Sequence, residues 1–286
     1  MGTAIAGGAI AALAWGISSL ASSRTSKEIG ATCVLAWVMV IGLVLAVPAA
    51  ALDGVPHGLS ANDVLLLLGA AVGSVAGLLA DYRALRMGRV AIVQPIVACE
   101  GAAAAIFGLL HGDALSALQL VLLAAIVAGI VAASRASSDA EPTAAGRAQD
   151  RETILLALVA ALLFGGSLFC IGVVGDSVST SWILLAVRAV GVAAVAIPLL
   201  ARRGLRLTRG SFPLVLASGL LEVIGLVAFA WGASDHIAVT AVVGSQFAVV
   251  GVIGGVLLFR ERITRIQTAG VFVTLAAVTL LSAAGG

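Results

Sequence analysis

Charge is scarce in this sequence. Asp, Glu, Lys and Arg make up 10% of its 286 residues, where a soluble domain carries about a quarter. The length alone would allow one or two soluble domains, but so little charge cannot clothe a water-facing surface. With a net charge of +2, no nucleic-acid partner is expected. Cysteine is rarer still: Cys33, Cys99 and Cys170 lie in three separate apolar runs. There is no CxxC pair and no Cys/His cluster, so neither a metal nor a redox site is indicated, and apolar packing is the expected role of all three. No Gly-Lys phosphate loop is written, which removes the basis for ATP-driven work. Nothing pairs a nucleophile with a base, so no catalytic residue and no cofactor is expected, and the chain reads as something other than an enzyme. The opening MGTAIAGGAIAALAWG has no positive n-region, so a cleaved signal is not expected, and Ala6 misses the hydroxyl of the myristoylation pattern.

What is present is apolar. Hydrophobic residues reach 61% and the mean hydropathy is +1.18, with 34 glycines. A bilayer span needs about 20 mainly apolar residues. Ten such segments are predicted, roughly 3–22, 31–51, 63–82, 89–111, 115–134, 153–173, 179–200, 211–232, 237–259 and 266–284. None keeps a polar face, as soluble helices would, and none alternates like a barrel strand. The fold expected is an all-α integral membrane protein. One stretch differs: SRASSDAEPTAAGRAQDRET (134–153) is polar and reads as a mobile loop.

That loop divides the chain into halves that resemble each other. A shift of 148 positions lays Gly77 on Gly225, Asp113 on Glu261, Leu115 on Ile263, Ser116 on Thr264 and Gln119 on Gln267. Trp15-Gly16 falls on Phe164-Gly165 one position later, and Pro48 on Pro198 one later again. The division is therefore 1–134 as a first repeat, 135–152 as a cytoplasmic linker and 153–286 as a second repeat. Fifteen of the 16 Lys and Arg sit in the odd-numbered connections: Arg24 and Lys27; Arg83, Arg86 and Arg89; Arg135, Arg147 and Arg151; Arg202, Arg203, Arg206 and Arg209; Arg260, Arg262 and Arg265. The positive-inside rule places those connections in the cytoplasm and both termini outside. Five helices per repeat is an odd number, so the second repeat enters from the opposite side. This explains why HGDALSALQ (111–119) has no arginine while FRERITRIQ (259–267) has three. Inverted repeats recur in secondary transporters, with the substrate near the midplane.

Trp15-Gly16, ALRMGRVAIVQP (84–95), GDALSALQ (112–119) and RERITRIQTAG (260–270) together make the chain resemble the drug/metabolite transporter superfamily, specifically EamA-like members with two five-helix repeats. The family's stretch before the last helix resembles G-E-R-[LI]-[ST]-x-x-Q followed by glycine. Glu261, Arg262, Ile263, Thr264, Gln267 and Gly270 fit it, and Arg260 stands where glycine is usual. The resemblance implies a transporter of a bacterial cytoplasmic membrane that exports a small molecule. Two departures set the halves apart. Arg188 matches an arginine often found in the second helix of each repeat, but the first repeat has Val38 and Met39 there. Pro95 of helix 4 faces Val243 in helix 9.

Three ionisable residues stand out inside the apolar runs: Glu100, Arg188 and Glu222. Each costs roughly 2.5–3.5 kcal/mol at the bilayer centre and so normally faces a bundle interior or a water-filled cavity. They are candidate binders of substrate or of a coupling proton; a Glu–Arg pair that only locks helices is the competing reading. Gln94 flanks Pro95, which is expected to kink helix 4. Ser245 and Gln246 are mid-span hydrogen-bonding candidates, and Trp15 is a candidate cavity wall. Gly69, Gly73 and Gly77 form a small-residue packing face, and Tyr82, Trp182 and Trp231 are expected interfacial anchors. The partners implied are a small-molecule substrate, the lipid bilayer and a coupling proton. A non-transporting scaffold or sensor and a lipid-carrier flippase stay open as alternatives.

Overall fold

The computed structural model describes residues 2–56, 58–111, 117–133, 144–175, 177–244 and 246–284. All regular structure among them is helical. The elements are α1 (Gly2–Ile29), α2 (Ala31–Asp53), α3 (Ala61–Met87), α4 (Val90–Val97), α5 (Glu100–His111), α6 (Ala117–Ala133), α7 (Ala144–Val174), α8 (Thr180–Gly191), a π-helical turn (Val192–Ala196), α9 (Ile197–Ala201), α10 (Phe212–Gly244), α11 (Phe247–Leu258) and α12 (Arg265–Ala284). Among the described residues, seven stretches are long and apolar enough to cross a membrane: Gly2–Ile29, Ala31–Asp53, Ala61–Met87, Val90–Gly108, Ala148–Val174, Thr180–Ala201 and Phe212–Gly232. The chain is a multi-pass membrane protein. Its outer face carries Leu52, Leu110, Leu257 and Phe272, while Asp81, Gln94, Arg188 and a row of serines are buried. This inversion of the soluble pattern follows from the solvent: lipid accepts leucine, and polar groups must find one another inside.

Three boundaries differ from the sequence expectation. Residues 144–152, expected as loop, are the first turns of α7. Ala, Arg, Gln and Glu favour helix there, and Gln149 Nε2 donates to the Met87 carbonyl at 2.8 Å. Pro142 and the rest of 134–143 lie outside the described residues, as do Asp113, His57 and Asp176. The expected gap at 233–236 is helical, and α10 is continuous from Phe212 to Gly244. A straight helix would separate Gly232 from Thr240 by about 12 Å and Phe229 from Gly244 by about 22 Å. Yet a Cβ built on Gly232 would lie 2.9 Å from Thr240, and one on Gly244 3.4 Å from the Phe229 ring. The chain therefore doubles back within α10. Finally, the kink expected at Pro95 is a break: α4 ends at Val97, Ala98 and Cys99 turn, and α5 starts at Glu100. α10 and α11 are interrupted at the corresponding place, after Gly244, without a proline.

Packing joins the two halves throughout. α1 lies on α10, α3 on α7, α6 on α12, α2 on α8 and α4 on α11. The expected glycine face of α3 supplies one of these contacts: Gly69 meets Cys170, Gly73 meets Leu163 and Ser167, and Gly77 meets Phe164. The contacts are also reciprocal. A Cβ on Gly225 would lie 2.4 Å from Trp15 Nε1, and one on Gly77 2.8 Å from the Phe164 ring. Ser18 Oγ reaches the Ser218 carbonyl at 3.4 Å, and Ser167 Oγ reaches the Ala70 carbonyl at 2.8 Å. Gly42 makes room for Arg188, and Gly191 makes room for Met39. In each case the second contact is the first moved by 148 or 149 positions, with the halves exchanged.

The connections sort to two ends. Lys27 stands 5.7 Å over the Phe259 ring, Thr208 donates to Glu28, Trp37 Nε1 donates to the Arg206 carbonyl, and Arg89 donates to the Arg262 carbonyl. These contacts gather connections 1–2, 3–4, 7–8 and 9–10 at one end. At the other, Ser181 donates to Asp53 and Trp182 Nε1 to the Gly54 carbonyl at 2.6 Å.

Candidate functional site

The polar interior begins on α1. Ser18 and Ser22 are one helical turn apart and so share a face. Ser218 and Glu222 are spaced likewise on α10. Ser18 Oγ donates to Glu222 Oε1 at 3.0 Å, Ser22 Oγ to Ser218 Oγ at 3.1 Å, and Ser218 Oγ to the Ser18 carbonyl at 3.3 Å. In a membrane, hydroxyls placed this way tie helices together because no water competes. Here they also hold one Glu222 oxygen in place.

Arg188 enters from α8 and is buried, with 4% exposure. Gly42 on α2 permits it: a Cβ there would lie 2.7 Å from Arg188 Cδ and Nε. Arg188 Nη1 stands 3.8 Å from Met39 Sδ, and Nε is buried with no hydrogen-bond partner. Met39 lies 149 positions before Arg188, so residues that the sequence alignment lays on each other are in contact in space. Among the described residues, no ion pair closes on Arg188. Its charge nevertheless acts on both Glu222 and Tyr82. One turn further along, α8 passes into the π-helical turn and then Pro198. Such turns store strain and are common beside functional sites.

Glu100 is the first residue of α5, directly after the break in helix 4. It is half-buried, its charge acts on Cys99 and Asp81, and the charge of Glu222 acts on it. A half-helix that starts inside a bundle offers free N–H groups and the positive end of its dipole. Gln94, fully buried on α4, donates from Nε2 to Asp81 Oδ1 at 3.4 Å. Trp15 is half-buried between Phe229 (ring centroids 5.8 Å apart) and Phe247 (6.4 Å), one turn from Glu222 over Gly225. Gln246 stands apart from this group: its Nε2 donates to Thr279 Oγ1 on α12 at 2.7 Å. Ser245 lies outside the described residues.

Glu100, Arg188 and Glu222 therefore share one electrostatic environment, with Trp15 and Gln94 at its edges. The sequence reading did not single out the residues beside this group. Asp81, with 5% exposure, lies at the end of the predicted span 63–82, two residues before Arg83. Tyr82 was assigned to the interface, yet it is 1% exposed and its hydroxyl has no partner. The reason is that α3 runs on to Met87, more than a turn past both. The serines of α1 carry no charge to mark them. Trp231 is exposed, while Trp182 is half-buried against Val174, Val178 and Ile183. Among the described residues, no three of His, Cys, Asp and Glu come together as a metal cage.

Comparison with known proteins bears on the first half and on the whole fold separately. Residues 2–135 match the EamA-like transporter family. A solved crystal structure superposes with a TM-score of 0.64, covering 97% of this chain and 96% of its own, at 14% identity. At that identity the likeness is one of fold. No curated protein matches the chain.

Proposed function

We propose, from the match of residues 2–135 to the EamA-like transporter family, that the whole chain is a ten-helix secondary transporter of that kind. It moves a small organic metabolite outward across the bacterial cytoplasmic membrane by alternating access. The ten spans count α4 with α5 as one helix and α8, the π-helical turn and α9 as another. They also count the two limbs of α10 separately, the second joined to α11. The two repeats are inverted, and the reciprocal contacts described above support that reading.

The observation that carries the proposal is the charged interior. Glu222 of α10 acts through charge on both Glu100 of α5 and Arg188 of α8, inside a bundle whose outer face is apolar. A protein that only had to hold helices together would gain more from apolar packing than from buried charge. Arg188 presents an unpartnered N–H and Glu222 a fixed carboxylate oxygen, which gives cargo one group of each sign to bind. Trp15 forms an adjoining apolar wall. The interrupted helices α4–α5 and α10–α11 are the elements able to rearrange around it.

The test is a metabolite screen in proteoliposomes, with and without a pH gradient. Glu100→Gln is expected to reduce transport of the identified metabolite at least tenfold, with the same thermal midpoint as wild type. Normal transport by Glu100→Gln removes Glu100 from the mechanism. Orientation is tested separately: a reporter fused after Gly286 is expected to be active only outside the cytoplasm, and cytoplasmic activity reverses the assignment.

A further inference from the structure

Asp81 and Gln94 meet between α3 and α4, and the hydrogen bonding between them is incomplete. Asp81 is on α3, buried, and the hydrogen bond it receives from Gln94 Nε2 is long, at 3.4 Å. The other end of the same amide, Gln94 Oε1, is fully buried and has no partner at all. A buried acceptor left unmade costs about 1–3 kcal/mol. Water has no access, since Gln94 is 0% exposed and lies against Gly251 of α11, where a Cβ would come 2.7 Å from Gln94 Cγ. The missing donor has to come from a neighbour. A carboxyl that carries a proton is such a donor, and one is already in place across the same contact. With the proton on Asp81, acid and amide can exchange two hydrogen bonds: amide N–H to carboxyl oxygen, and carboxyl O–H to amide oxygen. Without it, only the first can form.

We propose that Asp81 and Gln94 form an acid–amide pair that binds one proton reversibly, and that this is the coupling-proton site of the transporter. The coupling role rests on the function proposed above; the proton site does not. The surrounding charges fit. Glu222 of α10 and Glu100 of α5 both act on Asp81 as like charges. Arg188 of α8 acts on Glu222 and on Tyr82, the neighbour of Asp81. The charged residues of α1 nearest this level, Arg24, Lys27 and Glu28, are exposed. The charged start of α7 lies at the level of Met87 and Gly88, where Gln149 and Thr153 dock. α2 brings only Asp53, at the opposite end. Two carboxylates therefore act on Asp81, the buried guanidinium acts on one of them, and among the described residues an ionised Asp81 has no cation of its own. Position supplies the coupling. Gln94 precedes Pro95 and sits one turn before the break at Ala98 and Cys99, so the proton fastens α3 to the mobile half-helix and its loss releases α4. Cargo bound through Glu222 or Glu100 reaches Asp81 through charge alone.

Infrared difference spectra of the protein in lipid nanodiscs, taken across pH steps, read protonated carboxyls directly by their C=O stretch. Wild type is expected to show a pH-dependent band that Asp81→Asn removes and Glu100→Gln leaves in place. Gln94→Leu is expected to keep the band but shift its frequency, because the acid loses its amide partner. An Asp81→Asn spectrum identical to wild type overturns the site. If Asp81→Asn does not fold, an unshifted band in Gln94→Leu overturns it instead. With the screened metabolite, Asp81→Asn should retain counterflow while accumulation driven by a pH gradient falls at least tenfold. Unchanged pH-driven accumulation overturns the coupling role. Absence of counterflow in wild type would instead refute the transporter reading, with the infrared result unaffected.

Discussion

Gly225→Val is expected to lower the thermal midpoint by several degrees, and Trp15→Leu in the same chain to recover most of the loss. A Cβ at residue 225 would lie 2.4 Å from Trp15 Nε1, 2.6 Å from Cδ1 and 2.9 Å from Cε2. Real side chains do not approach so closely, so the indole must move. It has little room to do so, because Phe229 and Phe247 flank it. Overpacking of this kind typically costs 1–3 kcal/mol, and for a chain of this size each kcal/mol is worth about 2–4 °C. Trp15→Leu alone should also destabilise, by leaving space over a bare glycine. The double variant should lose less than the two single losses added, which is the signature of a direct contact. Thermal unfolding of the four proteins in one detergent measures the cycle. Additive losses would mean that Trp15 and Gly225 do not pack as described.

That contact was legible in the sequence, though only as an alignment. Trp15 was laid on Phe164 and Gly77 on Gly225, and in space each aromatic covers the other half's glycine. The seven long apolar helices were legible because lipid demands such helices and leaves little freedom in their length. That connections 1–2, 3–4, 7–8 and 9–10 share one end was legible because their arginines mark them alike. What stayed hidden has physical causes. Asp81 lies at the end of the predicted span 63–82, and the extension of α3 to Met87 carries it inside. The interruption after Gly244 has no proline to announce it. Glycine is a weak helix former, but in a chain with 34 of them it does not single out a site. Arg260 shows the reverse. It has φ +53°, the left-handed region that glycine occupies without strain. This is the physical reason for glycine at that place in the family pattern.

Glu261→Ala is expected to be the most damaging single change at the arginine-rich end, costing about 3 kcal/mol. FRERITRIQ reads as a charged turn, and its TRIQ portion is a helix start. Gln267 Oε1 accepts from the Thr264 N–H at 3.0 Å and Thr264 Oγ1 from the Gln267 N–H at 3.3 Å, which caps α12. Glu261 does something different. Its two carboxylate oxygens accept from the Val90 and Ala91 N–H groups, each at 2.9 Å, at the start of α4 in the other half. Val90 and Ala91 are fully buried, so water cannot replace the carboxylate. Two orphaned donors at about 1–3 kcal/mol each, with a lost anion at the helix dipole, set the size of the effect. Glu261→Gln is not expected to rescue it. Its amide offers one oxygen to one N–H and turns an NH₂ toward the other. Gly255→Ala should act in the same direction, since its Cβ would lie 2.5 Å from Glu261 Oε2. The comparison that decides is thermal unfolding of Glu261→Ala beside Arg265→Ala, an exposed neighbour of like position. Equal midpoints would mean that α4 does not depend on Glu261. A selective loss would fix the start of α4 to the connection before α12, leaving its far end, at Pro95 and the break, as the part free to move.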